Sequence, residues 1–249
     1  MDLQISNRVA LVTGASQGIG YAIAKGLAAE GVKVVVSSRD EAKLAAAAEQ
    51  IGAAAAIPAD VSDPDQLQQL LDSCREKVGD PDILVVNGGG PPPGLAAELD
   101  DEAWARGYDL TLMSAVRLAR ACLPAMRSQH WGRIICVTSM SVKEPIANLT
   151  LSNAFRAGVT GFVRTLATEV AADGVTVNNV APGATDTQRI RQLNPTPEAL
   201  AAVAQRIPAK RIATADEVAS AAVYLTGVPA AMITGQTILV DGGSVGSLL

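Results

Sequence analysis

The sequence predicts an α/β chain in which helices wind over both faces of a parallel sheet, and three observations carry that expectation. Seven short apolar, β-branched runs alternate with longer stretches of helical periodicity. Several runs, such as Ile83-Leu84-Val85-Val86, are apolar without alternation, which suits strands covered on both sides. The first run ends at Thr13 and passes straight into Gly14-Ala15-Ser16-Gln17-Gly18-Ile19-Gly20, then into a helical pattern over 21–30, as at the opening of a βαβ unit.

In chain order, strands are expected at 9–13, 32–37, 54–58, 83–87, 134–138, 175–180 and 238–240. The Ala-rich tract 44–56 reads as a helix followed by entry into a strand. Asp63-Pro64-Asp65-Gln66 offers an N-cap, a proline at the first helical position and a reciprocal Gln, and Thr214-Ala215-Asp216-Glu217 has capping-box spacing. The segment 184–210, with Pro195, Pro197 and Pro208, is too long for a bare connection and is expected to form a flap with a short helix at 198–205.

At 249 residues, 49% hydrophobic and only 18% charged, the chain has the material for one large core, and a single domain over 1–249 is expected. A net charge of −5 argues against nucleic acid or an anionic membrane as partner, since either needs a basic patch. Cys74, Cys122 and Cys136 are scattered through helical or strand patterns and read as buried thiols of a reducing compartment, the cytoplasm. The N-terminal segment fits neither a signal peptide nor a membrane span. One histidine, His130, and no Cys-x-x-Cys leave no basis for a metal site.

The chemistry begins at the glycine loop. Glycines there let the backbone turn sharply, while the first N–H groups of the next helix face an anion. The spacing Gly14-x-x-x-Gly18-x-Gly20 lacks the Gly-Lys-Ser/Thr of a triphosphate loop, so a dinucleotide is favoured over ATP, with Ser16, Gln17 and Ile19 completing the cradle. About 20 residues further on, where a carboxylate commonly holds the adenosine ribose, the sequence reads Ser37-Ser38-Arg39. With no acid to repel a 2′-phosphate, and with Ser38 and Arg39 to bind one, NADP(H) is favoured over NAD(H).

Taken in order, Thr13 to Gly20, Asp60-Val61, Asn87-Gly88-Gly89, Pro182-Gly183, Thr234-Gly235-Gln236 and Asp241-Gly242-Gly243 resemble, over nearly the whole chain, the short-chain dehydrogenase/reductase family. They are similar to its 3-oxoacyl-(acyl-carrier-protein) reductases in particular. The resemblance implies a single-domain Rossmann-type fold with a seven-stranded parallel sheet, assembled as a homotetramer or dimer through two long helices at about 110–129 and 151–172. It places Asp60 and Val61 at the adenine, Asn87 and Gly88 at the inner ribose, and Pro182, Gly183 and Thr187 at the nicotinamide end. The tail 244–249, ending in Leu248-Leu249, is expected to pack on a neighbouring subunit.

In that family a tyrosine transfers the proton, with a lysine four residues later, a serine at the preceding strand end and an asparagine in the helix before. Ser139 matches the serine; Ser152, Arg156 and Thr111 stand at the tyrosine, lysine and asparagine positions. A phenol of pKa about 10 is tunable toward working pH, whereas an aliphatic hydroxyl is too weak an acid for that role. Arg156 keeps a positive charge suited to cofactor binding but, with an ordinary pKa above about 12, does not readily surrender a proton. Lys143 is the nearest candidate for a displaced acid, with Ser141, Tyr108 or ordered water behind it, although Lys143 and Glu144 read more readily as an ordinary exposed pair.

Three readings stay open. The chain is an NADP(H)-dependent oxidoreductase acting on a carbonyl or hydroxyl of a small or acyl substrate, an NADP(H)-binding sensor or partner subunit with weak or no turnover, or a host for elimination or hydration. Arg189, Arg191 and Arg206 on the flap are candidates to receive a carboxylate or phosphate, or are surface charge. In the loop 87–94, the three glycines 88–90 allow close backbone approach and the three prolines 91–93 then stiffen the exit from the pocket.

Overall fold

The structure, a computed structural model, describes residues 1–247, so Leu248 and Leu249 lie outside the described residues. Its strands are β1 (Val9–Thr13), β2 (Lys33–Ser37), β3 (Ala55–Ala56), β4 (Ile83–Val86), β5 (Gly132–Val137), β6 (Val175–Pro182) and β7 (Thr237–Val240). They form one seven-stranded sheet in the order β3-β2-β1-β4-β5-β6-β7, every pair parallel. All seven coincide with the apolar runs of the sequence. β3 is shorter than the expected 54–58: only Ala55 and Ala56 pair with Val35 and Val36, while the Ile57 and Ala59 N–H groups donate to the Val36 and Ser38 carbonyls and keep the chain beside β2.

Period-two alternation along the strands divides the core into two layers. Val12, Val34, Val36, Ile83, Val85 and Ile135 pack on α1 (Gly18–Ala29), α2 (Glu41–Ile51) and α9 (Ala215–Thr226) through Ile23, Leu27, Leu44 and Val218. Leu11, Val35, Leu84, Ile134 and Cys136 face α3 (Pro64–Lys77), α5 (Ser114–Ser128) and α6 (Thr150–Val170) through Leu67, Leu118, Met126 and Val163. Each buried Leu or Ile contributes about 1.5–3 kcal/mol, so continuous strands between two helical layers are what fix the fold.

Two helix starts behave differently. At α9, Thr214 and Glu217 close a full capping box. At α3, Asp63 accepts from the backbone N–H of Asp65 and Gln66, but the reciprocal bond expected from Gln66 goes elsewhere. Its Oε1 accepts from the Asp60 N–H at 3.0 Å, while the Asp63 N–H donates to the Asp60 carbonyl at 3.1 Å. The reason is a tight Asp60–Asp63 turn that satisfies the cap amide first.

The helix expected at about 110–129 also needs correction. Helical chain starts nine residues earlier, as α4 (Asp101–Tyr108) capped by Asp100, passes through one wide π-type turn at Asp109–Met113, and resumes as α5. The other long helix, α6, matches expectation. The segment 184–210 holds two helices, α7 (Gln188–Leu193) and α8 (Pro197–Arg206), of which only the second was expected.

Candidate functional site

β1 and β4 are neighbours whose following connections leave toward opposite ends of the sheet, so a crevice opens at their carboxyl ends. Residues after the two strands lock together there. Thr13 Oγ1 donates to the Asn87 carbonyl at 3.0 Å and accepts from the Asn87 N–H at 3.0 Å. Asn87 Nδ2 in turn donates to the Gly14 carbonyl at 3.1 Å. Gly14 has φ +60°, and a Cβ on Gly20 would lie 2.3 Å from the Gly14 oxygen and 2.6 Å from Asn87 Nδ2. The glycines are therefore demanded by the amide of Asn87, 73 residues from Gly14, as much as by any ligand.

The cradle faces the start of α1. Gln17, its N-cap residue, is extended and caps nothing with its side chain, and no acid occupies the first turn, so no side chain competes for the leading N–H groups. Ile19 packs into the core and Ser16 is half-buried beside the opening. Gln17 Nε2 crosses to Gln188 Oε1 at 2.7 Å, joining the cradle to α7.

Ser38 and Arg39 follow directly on β2, at the same end of the sheet as the glycine cradle. The Arg39 side chain is 69% exposed and approaches Asp60 Oδ2 only to 3.7 Å. Sequence spacing missed that neighbour, because Asp60 lies on the loop after β3 and meets Arg39 only through sheet pairing. Its carboxylate accepts from the Ser62 N–H at 2.9 Å and Oγ at 2.7 Å, which fixes its direction. Val61 packs against the second core layer.

On the other side of the crevice, Ser139 closes β5 and its Oγ accepts from the Ser141 N–H at 3.1 Å, leaving its own proton free to donate. Ser152 and Arg156 lie one turn apart on α6. Arg156 Nε donates to Ser152 Oγ at 3.2 Å, and Nη1 donates to the carbonyls of Val137 and Thr138 at 2.9 and 2.7 Å. Burial, with the nearby charge of Arg189 second, brings the guanidinium pKa down to about 10, still well above neutrality. Thr111 sits in the π-type turn with its Oγ1 buried and unpartnered. A cavity of about 20 Å³, room for one water, joins Thr111, Thr138, Gly88 and Arg156.

Other candidates scatter. Lys143 is exposed and makes no hydrogen bond or ion pair to Ser139, Ser152 or Glu144 among the described residues, and Tyr108 is 43% exposed against Phe155. Ser141 Oγ is buried without a partner. Pro182 ends β6, Gly183 bonds back to the Val240 carbonyl at 3.0 Å, and Thr187 caps α7 with its methyl over Gly18. Arg191 is paired with Asp186 at 2.7 Å and Arg206 is exposed, so of the three flap arginines only Arg189 turns inward, donating from Nη2 to the Pro91 carbonyl at 2.8 Å. The Thr187 cap is the signal by which α7 was discoverable. Among the described residues there is no group of metal-ligating side chains, and no helix is long and apolar enough to cross a membrane.

Comparison with known proteins agrees with this geometry. The family model described as Enoyl-(Acyl carrier protein) reductase matches residues 14–245. The chain is 38% identical to the 3-oxoacyl-[acyl-carrier-protein] reductase FabG of Escherichia coli over 97% of its own length and 98% of that protein. It is 39% identical to the 3-oxoacyl-[acyl-carrier-protein] reductase of Synechocystis sp., with the same coverage. Among solved structures, L-sorbose reductase from Gluconobacter frateurii complexed with NADPH and L-sorbose superposes with a TM-score of 0.93 at 35% identity, covering 100% of both chains. Actinorhodin polyketide ketoreductase with NADPH does so with a TM-score of 0.93 at 33% identity, covering 97% of this chain and 98% of that one. With the seven-stranded doubly wound sheet and a family match over nearly its whole length, the chain belongs to the short-chain dehydrogenase/reductase family of oxidoreductases.

Proposed function

We propose that this protein is an NADP(H)-dependent oxidoreductase that interconverts a carbonyl and a hydroxyl on a small or acyl substrate, with Ser152 and Arg156 standing where its family carries tyrosine and lysine. The observation that carries the reading is the glycine cradle locked by Asn87, opening onto an α1 terminus free of side-chain caps and acids. NADPH-bound relatives of the same fold support it. In this reading Gly14, Ser16, Gln17, Gly18, Ile19 and Gly20 hold the pyrophosphate, and Ser38 and Arg39 the 2′-phosphate. Asp60 and Val61 border the adenine, Asn87 and Gly88 the inner ribose, and Pro182, Gly183 and Thr187 the nicotinamide end.

When bound, the cofactor supplies the hydride. The chain's own residues orient the substrate: the Ser139 hydroxyl donates to its oxygen, and Ser152, whose Oγ accepts from Arg156, keeps its own proton free to donate. Neither hydroxyl is acidic enough to be a tuned proton source, and the Arg156 guanidinium stays charged at neutral pH. Its charge stabilises a developing alkoxide, while the proton itself comes from water. Since a positioned acid typically contributes about 10²–10⁴-fold, turnover is expected to be slow. Assembly is as a homotetramer or dimer through α5 and α6, in the cytoplasm; light scattering tests the former.

A second reading, an NADP(H)-binding sensor or partner subunit with little turnover, is favoured by one observation. Arg156 is bonded to Ser152 and to the carbonyls of Val137 and Thr138, with no titratable acid bonded to the pair. Calorimetric titration with NADPH and NADH decides the common part: NADPH is expected to bind more tightly, and binding of neither overturns both readings. NADPH oxidation with a panel of ketones then separates them.

A further inference from the structure

We propose that the substrate carries a carboxylate, held between the guanidinium groups of Arg156 and Arg189 beside the 88–91 loop. The inference rests on the oxidoreductase reading for the substrate's reacting carbonyl and adds its charge. Arg156 reaches the loop from α6 and lines the cavity with Gly88 and Gly89. Arg189 reaches it from α7, its guanidinium packed so that a Cβ on Gly90 would lie 3.4 Å from Nη2 and 3.6 Å from Nε. Two cations, one from α6 and one from α7, thus meet one glycine loop, Arg156 at Gly88 and Gly89 and Arg189 at Gly90.

Neither is neutralised. Arg156 bonds only neutral acceptors, Ser152 Oγ and two carbonyls, and its Nη2 has no partner. Arg189 gives one bond, to the Pro91 carbonyl, and its Nε and Nη1 have none. No described carboxylate forms an ion pair with either residue; Asp186 is paired with Arg191 and Asp109 with Arg117. The two charges feel each other, because Arg189 adds to burial in pulling the Arg156 pKa down. Unopposed like charges in a partly desolvated crevice destabilise the empty site, and a carboxylate between them removes that cost by taking charge-assisted bonds from Arg156 Nη2 and from the unbonded N–H groups of Arg189. Arg191 and Arg206, paired or exposed, lack this arrangement.

The test compares pyruvate, acetoacetate and levulinate with their methyl esters, titrated calorimetrically into the protein alone and into the NADPH-saturated protein. At least one acid is expected to bind about tenfold more tightly than its ester, the scale of a charge-assisted hydrogen bond. In Arg189→Met that gap is expected to close to about twofold with ester binding unchanged, while Arg189→Lys, with a melting temperature equal to wild type, keeps part of it. Equal binding of acids and esters, or no binding of any acid, overturns the proposal. So does an Arg189→Met that weakens acid and ester alike, which makes Arg189 only a latch on Pro91. An Arg189→Met that weakens NADPH but keeps the acid preference also overturns it, by giving the arginine to the cofactor's pyrophosphate. Failure to bind NADPH at all sinks the oxidoreductase reading separately, since the acid–ester comparison on the protein alone still decides the arginine pair.

Discussion

Arg156 lies one turn beyond Ser152 on α6 and donates from Nε to the serine Oγ at 3.2 Å, with Ser152 only 8% exposed. The guanidinium therefore fills the space in front of residue 152 that a larger side chain would need. Ser152→Tyr alone is expected to gain little, because the new ring meets Arg156, and Arg156→Lys alone restores no acid. The double variant relieves both problems at once, and NADPH-dependent reduction of a generic ketone is expected to rise by about 10²–10⁴-fold, far more than the product of the single effects. No gain in the double variant, with NADPH still bound, moves the balance to the sensor reading.

Gly20 and Gly161 make a contrasting pair. A Cβ on Gly20 would lie 2.3 Å from the Gly14 carbonyl oxygen, whereas one on Gly161, inside α6, meets nothing within 4 Å. Gly20→Ala is expected to cost about 1–3 kcal/mol or more and to abolish NADPH binding. Gly161→Ala is expected to stabilise by about 0.4–1 kcal/mol and to leave binding unchanged. Denaturant melts with a cofactor titration check both.

Arg39 has one loose carboxylate neighbour, Asp60 at 3.7 Å, and is otherwise in solvent. Arg39→Ala is expected to weaken NADPH binding by about tenfold or more, leaving NADH binding the same. Equal losses for the two cofactors would show that the residue does not read the 2′-phosphate.

The start of α9 should be acid-sensitive. Bonds from Arg211, then from the Thr214 N–H, pull the Glu217 carboxyl pKa down to about 2 from an ordinary 4.5. Because the folded value lies below the unfolded one, the unfolded state binds more protons between them, and stability rises with pH across that window. The contribution is complete above about pH 4.5 and is lost as pH falls toward 2. Amide exchange in the first turn of α9 is expected to accelerate over that range in wild type, relative to the rest of the helix, and to show no such step in Glu217→Gln.

Burial pushes the thiols of Cys122 and Cys136 up to about 12 and that of Cys74 to about 11. All three are free. No reaction with a disulfide reagent at pH 8 is expected in the native protein, and three equivalents are expected on denaturation. Rapid labelling of any one without denaturant would contradict its placement in the core.

Much of this was legible because it is local. Apolar, β-branched runs located every strand, and those without alternation, such as Ile83-Leu84-Val85-Val86, did so because burial on both faces removes the polar positions. The Thr214 box was visible because its partners are three residues apart. The wide turn at Asp109–Met113 was not visible: nothing in Leu110-Thr111-Leu112 itself asks for a π-type turn, and it exists where α4, α5 and α6 pack together. The inward turn of Arg189 was equally hidden, because its acceptor, Pro91, lies 98 residues away.

By itself, then, the sequence determined the doubly wound architecture, the glycine loop between β1 and α1 and the cation at the end of β2. Those follow from residue type, period and spacing. Tertiary structure alone decided that Asn87 crowds both Gly14 and Gly20, that Asp60 stands beside Arg39, and that Arg156 folds onto Ser152 and the end of β5 while Arg189 bonds the Pro91 carbonyl. The physical reason is common to all of them: hydrogen bonds and charges act over a few ångströms of space, and in a parallel sheet those ångströms separate residues that the chain holds far apart.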